Sequence, residues 1–393
     1  MTQTSPSRVT FLSFALFAVQ PLAFGAWLAQ IPTVKAALGL DKAELALSLL
    51  GLPVATIFAL QLASRLISHF GPRRVLAAMF PLYSAAACLP LLAVGQWSLF
   101  AALMAFGFSM SFLQVGLNVY AGRVERATGL IIMNRCHGFW ALGLMAGSFC
   151  ASLIAGLGPL SAVMVIALPS ATAGIAISLA LPHYGALPGQ GVPRRRALRE
   201  LPRALLMISI VVFAVATTEG AMADWAAVYL TEVTGAEAAR AGIGVSVFAA
   251  CLATGRFLGD ALRSRLGIVG LARTALTLAL AGLALLTVAD GFATAITGFG
   301  LVGLGVSVGY PLGVSAVAAL DDVYEGPNIA LMSLISFAGF LIGPPTIGFL
   351  AEAINLRVGL AVLIPLLVTG WALSGWLADA ITADSDESEL PKV

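Results

Sequence analysis

The sequence predicts an all-α integral membrane protein of twelve transmembrane helices, arranged as two pseudo-symmetric six-helix bundles. Three observations carry this reading. Hydrophobic residues make up 60% of the 393 residues and charged residues only 10%, against about 25% charged in soluble domains. The apolar residues fall in continuous blocks long enough to cross a bilayer, which takes roughly 20 helical residues. Short features of the first half recur in the second at a spacing of 196 to 198 residues. An aqueous fold with so little charge has no means of covering its apolar surface, so lipid is the expected solvent. Helices are expected over a barrel because the runs are continuous and do not alternate in ten-residue units.

The expected spans are 9–33, 44–68, 75–94, 97–121, 134–156, 160–181, 204–230, 239–262, 268–288, 292–320, 329–351 and 358–380. Polar interruptions separate them, notably His69-Phe70-Gly71-Pro72-Arg73-Arg74, the stretch Gly122 to Met133, and Ser264-Arg265-Leu266-Gly267. At Gly95-Gln96 and Asp290-Gly291 the break is short enough to require a tight helical hairpin. The 41 Gly and 19 Pro suit packed membrane helices, where small residues let backbones approach and Pro is tolerated. The chain then divides into a first bundle over 1–181, a basic linker over 182–203, a second bundle over 204–380 and an acidic tail over 381–393.

Basic residues give the orientation. With the N-terminus inside, the cytoplasmic segments hold most of the arginines, including Arg65, Arg73, Arg74, Arg123, Arg126, Arg194, Arg195, Arg196, Arg263 and Arg265. The opposite side holds Lys35, Lys42, Arg240 and Arg357. This asymmetry predicts two cytoplasmic termini in a bacterial inner membrane. The N-terminal apolar run is too long for the core of a cleavable signal. Cys88, Cys136, Cys150 and Cys251 are scattered without CxxC spacing, and the three His fall in no ligand pattern, so no metal or other cofactor is expected. Neither GxSxG nor a P-loop occurs, which leaves hydrolase and ATP-driven readings without support and points away from an enzyme.

The internal repeat supplies the domain logic. Ser68-His69-Phe70-Gly71 ends the second span and Ser264-Arg265-Leu266-Gly267 the eighth, while Ala26-Trp27 recurs as Asp224-Trp225. Gly39-Leu40-Asp41 and Gly235-Ala236-Glu237 form matching turns in the two halves. Parallel repeats of this kind describe carriers whose transport path lies between the halves at midplane.

On these residues the whole chain resembles the major facilitator superfamily, and within it the YbjJ-type or MosC-type membrane proteins near the fucose-permease-like group. The resemblance rests on Glu219-Gly-Ala-Met-Ala-Asp-Trp-Ala-Ala-Val-Tyr-Leu230, Gly255-Arg-Phe-Leu-Gly-Asp260, Met133-Asn-Arg-Cys-His-Gly138 and Gly339-Phe-Leu-Ile-Gly-Pro-Pro345. It implies secondary active transport by alternating access. The family signature after the second span is similar to G-x-x-x-D-R-x-G-R-R, but here Ser64 and Ser68 replace its Gly and Asp, and His69 its first Arg; Gly71, Arg73 and Arg74 remain. A carboxylate-based lock is therefore not expected at that place. No Pro lies between Gly138 and Gly156, so the pattern typical of drug–proton antiporters is missing.

Ionisable groups inside lipid-spanning segments cost about 2.5–3.5 kcal/mol at mid-helix on insertion scales and call for an explanation. Glu219 is the foremost, expected past midplane toward the outside, with Asp224 about 140° further around the helix; both are candidates for proton coupling. Gln20, Phe24, Trp27 and Gln30 in the first span, Gln114 and Asn118 in the fourth, Trp225 in the seventh and Tyr310 in the tenth are candidates to line a solute cavity. Amides and aromatics there suit a small polar solute, though interhelical hydrogen bonding explains many such stripes. Arg73, Arg74, Arg123, Glu125, Arg126, Arg135 and His137 are candidates for an inner gate, together with Arg256 and Asp260, one turn apart on the eighth span.

The expected function is secondary transport of a small organic solute, sugar-like or polyol, coupled to protons, by a monomer in the lipid bilayer with no nucleic-acid partner. Export of amphipathic metabolites or drugs is one alternative. A non-transporting sensor or assembly protein on the same fold is another, but the chain has almost no soluble segment to bind a partner.

Overall fold

The structure is a computed structural model that describes residues 6–184, 200–321 and 324–378. The arginine cluster 194–196, most of the linker and the acidic tail lie outside the described residues. Every regular element among the described residues is helical. The membrane-length helices run Ser7–Leu38, Lys42–Phe70, Pro72–Leu92, Gln96–Thr128, Met133–Leu153, Pro159–Ala180, Arg203–Thr234, Ala238–Val288, Phe292–Ala318, Glu325–Ala353 and Leu356–Leu373.

One of these is two spans in sequence. Ala238–Val288 has 51 residues, which as a single helix would reach about 76 Å at 1.5 Å per residue, far beyond a hydrocarbon core of about 30 Å. Gly267 divides it with φ 67° and ψ 173°, a conformation essentially restricted to glycine. The chain therefore makes twelve spans, numbered first to twelfth below, the eighth ending and the ninth beginning at Gly267.

The repeat is written into the backbone. Gly39 (φ 63°, ψ 28°) closes the first span and Gly235 (φ 66°, ψ 21°) closes the seventh. Gly71 (φ 80°, ψ 154°) follows the second span as Gly267 follows the eighth. Both pairs stand 196 residues apart. Two six-helix halves thus turn corners at equivalent places with the same dihedral angles.

Within each half the helices approach at glycines. A Cβ at Gly25 would meet the Ser148 backbone nitrogen at 2.9 Å, and one at Gly147 would meet the Leu22 carbonyl carbon at 2.8 Å, so the first and fifth spans touch backbone to backbone. In the second half, Gly282 lies equally close to the tenth span, a Cβ there falling 2.6 Å from the Gly298 carbonyl oxygen. Such contacts gain dispersion energy where lipid offers no hydrophobic drive to bring helices together.

The two ends of the bundle differ. At one end, Asp41 caps the second span in a reciprocal capping box with Glu44, and Lys35, Lys42, Glu232 and Glu352 gather around it. The other end holds Arg65, Arg73, Arg74, Arg123, Arg126, Arg263 and Arg265. These are the lysine end and the arginine end.

Candidate functional site

The seventh span is surrounded by protein. Its Val215 packs on Gly309 of the tenth span, and a Cβ at Gly220 would lie 2.7 Å from the Phe340 ring of the eleventh. The Tyr229 hydroxyl donates to the Leu286 carbonyl of the ninth, and Ala214 lies beside Gly370 of the twelfth. From Ala214 to Leu230 every residue is buried except Glu219, Ala223 and Asp224. Accessible surface on a stretch enclosed this way opens inside the bundle; Glu219 and Ala223 lie about 40° apart on one face of the continuous helix, and Asp224 about 140° around from Glu219.

Glu219 occupies the middle of the helix Arg203–Thr234. The sequence places it past midplane because the expected span stops at 230; the helix continues another turn to Thr234, and the carboxyl is central. Arg256 of the eighth span holds it, Nη2 donating to Oε1 at 3.0 Å and to Oε2 at 3.2 Å. The same guanidinium donates through Nη1 to the His137 carbonyl at 3.2 Å. His137 belongs to the first half of the chain, so one arginine ties a carboxylate of the second half to a backbone of the first. Arg256 is deeply buried, with 7% of its side chain accessible, against 22% for Glu219.

This corrects the expected pairing of Arg256 with Asp260. Asp260 instead accepts from Asn134 Nδ2 at 3.2 Å, across the two halves. One turn along the helix, Arg256 turns to the interior and Asp260 to the arginine end, and each meets a partner on another span. Asp224 has a different status: among the described residues it makes no hydrogen bond and no ion pair.

The remaining cavity candidates divide by depth. Phe24, Gln114 and Asn118 keep partial exposure and Tyr310 is 38% exposed. Asn118 Nδ2 donates to the Gln114 carbonyl at 2.9 Å, which leaves the Gln114 amide available. The Tyr310 hydroxyl bonds the Ser333 hydroxyl at 2.9 Å, at the break between helices Phe292–Val306 and Gly309–Ala318. Trp27, Gln30 and Trp225 are buried and do not line an open cavity in this state. The helical stripe that carries them runs on toward the lysine end, where the halves are in contact. The equivalent indoles of Trp27 and Trp225 are both without an acceptor among the described residues. Gln20 is also buried; its Oε1 accepts from Trp140 Nε1 at 2.7 Å and its Nε2 has no partner.

The lysine end is shut. Lys35 Nζ pairs with Glu232 Oε1 at 2.8 Å, and Lys42 Nζ lies 3.6 Å from both Glu232 and Glu352. The Lys42 backbone N–H donates to Glu352 Oε2 at 3.1 Å. All four contacts cross between halves. In the sequence these lysines report only topology; Glu232 and Glu352 are no candidates there, and the signal for them is opposite charge at the ends of the first, second, seventh and eleventh spans.

The halves are also joined along a seam between the fifth and eighth spans. Toward the lysine end Ser148 and Ser246 share a hydrogen bond at 2.7 Å; toward the arginine end Phe139 meets Phe257 at 5.5 Å and Asn134 reaches Asp260. On the other side, no hydrogen bond or ion pair among the described residues joins Gly51–Phe70 to Glu325–Ala353, or Gln96–Thr128 to Phe292–Ala318.

Among the described residues the expected charge network of Arg73, Arg74, Arg123, Glu125 and Arg126 is not formed. Arg73 donates to the Leu179 carbonyl at 2.6 Å and Arg123 to the Tyr184 carbonyl at 3.1 Å. Glu125 accepts from the N–H groups of Ile132 and Met133 at 2.7 and 2.8 Å, satisfying free donors at the start of the fifth span. Arg74, Arg126 and Arg135 are exposed. Helix ends have unpaired carbonyls and N–H groups to offer, and these side chains take them within the first half. His137 presents its ring to Phe17 at 5.6 Å while its carbonyl serves Arg256.

Comparison with known proteins agrees with this architecture. The model of the Major Facilitator Superfamily matches residues 9–324. The chain is 33% identical over 361 residues to an uncharacterised MFS-type transporter of Yersinia pestis, covering 90% of this chain and 91% of the relative. It is 29% identical over 365 residues to membrane protein MosC of Rhizobium meliloti, covering 92% and 88%. The fold is shared with the nucleoside transporter NupG, at TM-score 0.69 and 15% identity over 96% of this chain and 98% of that one. It is shared also with a variant of the E. coli fucose:proton symporter FucP, at TM-score 0.65 and 15% identity over 95% and 99%. Twelve spans in two repeated halves, a charged pair between them and relatives that are transporters lead to one assignment: the chain belongs to the major facilitator superfamily.

Proposed function

We propose that this chain is a secondary carrier that moves a small polar organic solute by alternating access, coupled to protons through Glu219. The observation that carries the reading is the accessible surface at Glu219, Ala223 and Asp224 in the middle of the otherwise buried stretch from Ala214 to Leu230. Accessible surface at midplane while charged pairs bridge the halves at the lysine end is what one half of an alternating cycle requires. Gln114, Asn118 and Tyr310 supply amide and phenol groups for a hydroxyl-rich solute, with Phe24 as an apolar face. Two fold neighbours carry nucleosides and fucose with a proton, which makes solutes of this kind the first to try.

Proton coupling follows from the pair. Protonating Glu219 removes the charge that holds Arg256, and Arg256 then loses its reason to stay beside the His137 carbonyl of the other half. Proton uptake and the contact between halves would thus share one side chain. In this proposal the arginine end faces the cytoplasm of a bacterial inner membrane, both termini lie there, and the monomer is the working unit. The two bundles are 1–181 and 204–380, joined by the linker 182–203.

The test is uptake by purified protein in liposomes, with sugar-like, polyol and nucleoside solutes, with and without an imposed pH gradient. Solute accumulation driven by the gradient supports the proposal. Uptake that ignores the gradient would leave a facilitator, and no uptake of any solute would remove the carrier reading.

A further inference from the structure

The membrane interior of this protein has an unbalanced charge. Every Lys and Arg among the described residues stands in the first or last two turns of its span, with one exception, Arg256. Among acidic residues the same holds with two exceptions, Glu219 and Asp224. Arg256 is engaged by Glu219 at 3.0 Å. Asp224 is left with no counter-charge and with no hydrogen-bond donor among the described residues.

A carboxylate at this depth is expensive to insert and is retained where it meets a partner in a cavity. Among the described residues none is supplied, because the one deep arginine there is already taken. Asp224 keeps accessible surface where its neighbours Met222, Trp225, Ala226 and Ala227 have none. Gly220, one turn toward the arginine end and about 40° around the helix from Asp224, leaves room for the Phe340 ring. A second ring, Phe337, stands 6.1 Å from Phe340. An unpaired carboxylate one turn from aromatic rings is an arrangement that suits a positively charged nitrogen.

We propose that Asp224 is the group that recognises a protonated amine on the transported solute, so that the substrate class is a polar, amine-bearing small molecule and not a neutral one. This rests on the carrier reading above and sharpens it. It separates two roles that the sequence left together: Glu219 with Arg256 responds to protons, and Asp224 contacts solute.

The test uses matched pairs of solutes that differ by an amine, glucosamine with glucose and ethanolamine with ethylene glycol, taken up by proteoliposomes containing wild type, Asp224→Asn or Asp224→Glu. Size-exclusion profiles and melting temperatures confirm that the variants fold. The expected result is wild-type uptake of an amine at least tenfold above its neutral partner. Asp224→Asn should fall to the level of the neutral partner, and Asp224→Glu, which keeps the charge, should retain part of the preference. Two outcomes overturn the inference and leave the carrier reading standing: neutral members carried as well as amines, or an amine preference that survives Asp224→Asn. A wild type that moves neither member of either pair while carrying a neutral sugar or nucleoside also overturns it. If nothing moves in any panel, the inference falls together with the carrier reading.

Discussion

Lys35 and Glu232, at the end of the first span and the end of the seventh, form an ion pair of 2.8 Å across the two halves of the molecule. They occupy related ends of repeated helices, so the pair lies near the pseudo-symmetry axis and closes the path where the halves converge. Lys42 joins it at 3.6 Å from Glu232 and at the same distance from Glu352. Partly exposed pairs contribute about 0.2–1 kcal/mol each, so the network together favours this state by roughly 1–2 kcal/mol.

That magnitude is small for folding and large for a two-state equilibrium. Glu232→Gln combined with Glu352→Gln should shift the population toward a state open at the lysine end by about 5–30-fold, since 1.4 kcal/mol is tenfold. The readout is labelling of a cysteine placed at Ala223, in a background without the four native cysteines, by an impermeant maleimide added from the lysine side. Labelling should rise in the double variant, and a charge exchange of Lys35→Glu with Glu232→Lys should bring it partway back. Labelling unchanged in the double variant would show that packing, and not charge, keeps this end shut.

Glu219→Gln tests the central pair. The amide still accepts a hydrogen bond but has no charge to lose, so uptake should no longer respond to a pH gradient while exchange across equal concentrations continues. Arg256→Ala leaves Glu219 without a counter-charge. Breaking a buried pair from one side costs about 3–5 kcal/mol, and that variant should melt lower than Glu219→Gln combined with Arg256→Ala. Equal melting temperatures for Arg256→Ala and the double variant would mean that Glu219 is hydrated well enough to stand alone.

Gly71 and Gly267 carry the break between spans in each half with φ 80° and φ 67°. No atom lies within 4 Å of a Cβ built at either, so alanine has room there and only the backbone conformation opposes it. The cost at such dihedrals is about 1–3 kcal/mol per site. Gly71→Ala and Gly267→Ala should therefore lower thermal stability by similar amounts, and Gly270→Ala, inside a regular helix, should not. Melting in detergent gives the comparison.

The fold was legible because its signals are local. Apolar length, glycine breaks and repeated turns sit in consecutive residues, and the corners at Gly39, Gly71, Gly235 and Gly267 came out where the sequence put them. Glu219 was legible because an ionisable residue among apolar neighbours stands out. Its partner was not, because Arg256 is 37 residues away on another helix, and helical spacing favoured Asp260, one turn along. The charges at the lysine end were visible singly, but their meeting depends on how four span ends converge. Trp27 shares a helical face with Gln20 and Phe24. Only the closure of the halves on each other decides that one stretch of a face is open and the next is buried.

That closure gives a last prediction, which separates steric from electrostatic locking. Gly348 of the eleventh span faces Lys42 and Ala46 of the second, and a Cβ there would collide with Ala46 and lie 2.7 Å from the Lys42 carbonyl oxygen. On the opposite seam, a Cβ at Gly242 would lie 2.6 Å from Ala29 Cβ and 2.9 Å from the Ser148 carbonyl oxygen. Both contacts run between halves, so a larger side chain at either place wedges the lysine end without entering the core of a single bundle. Gly348→Leu and Gly242→Leu should each raise labelling at Ala223→Cys from the lysine side. Gly147→Leu, which pushes on Leu22 inside one half, should instead destabilise the protein with little gain in labelling. If Gly348→Leu also melts early without new labelling, the halves move as one body at that seam, and the opening would have to occur on the Gly242 side.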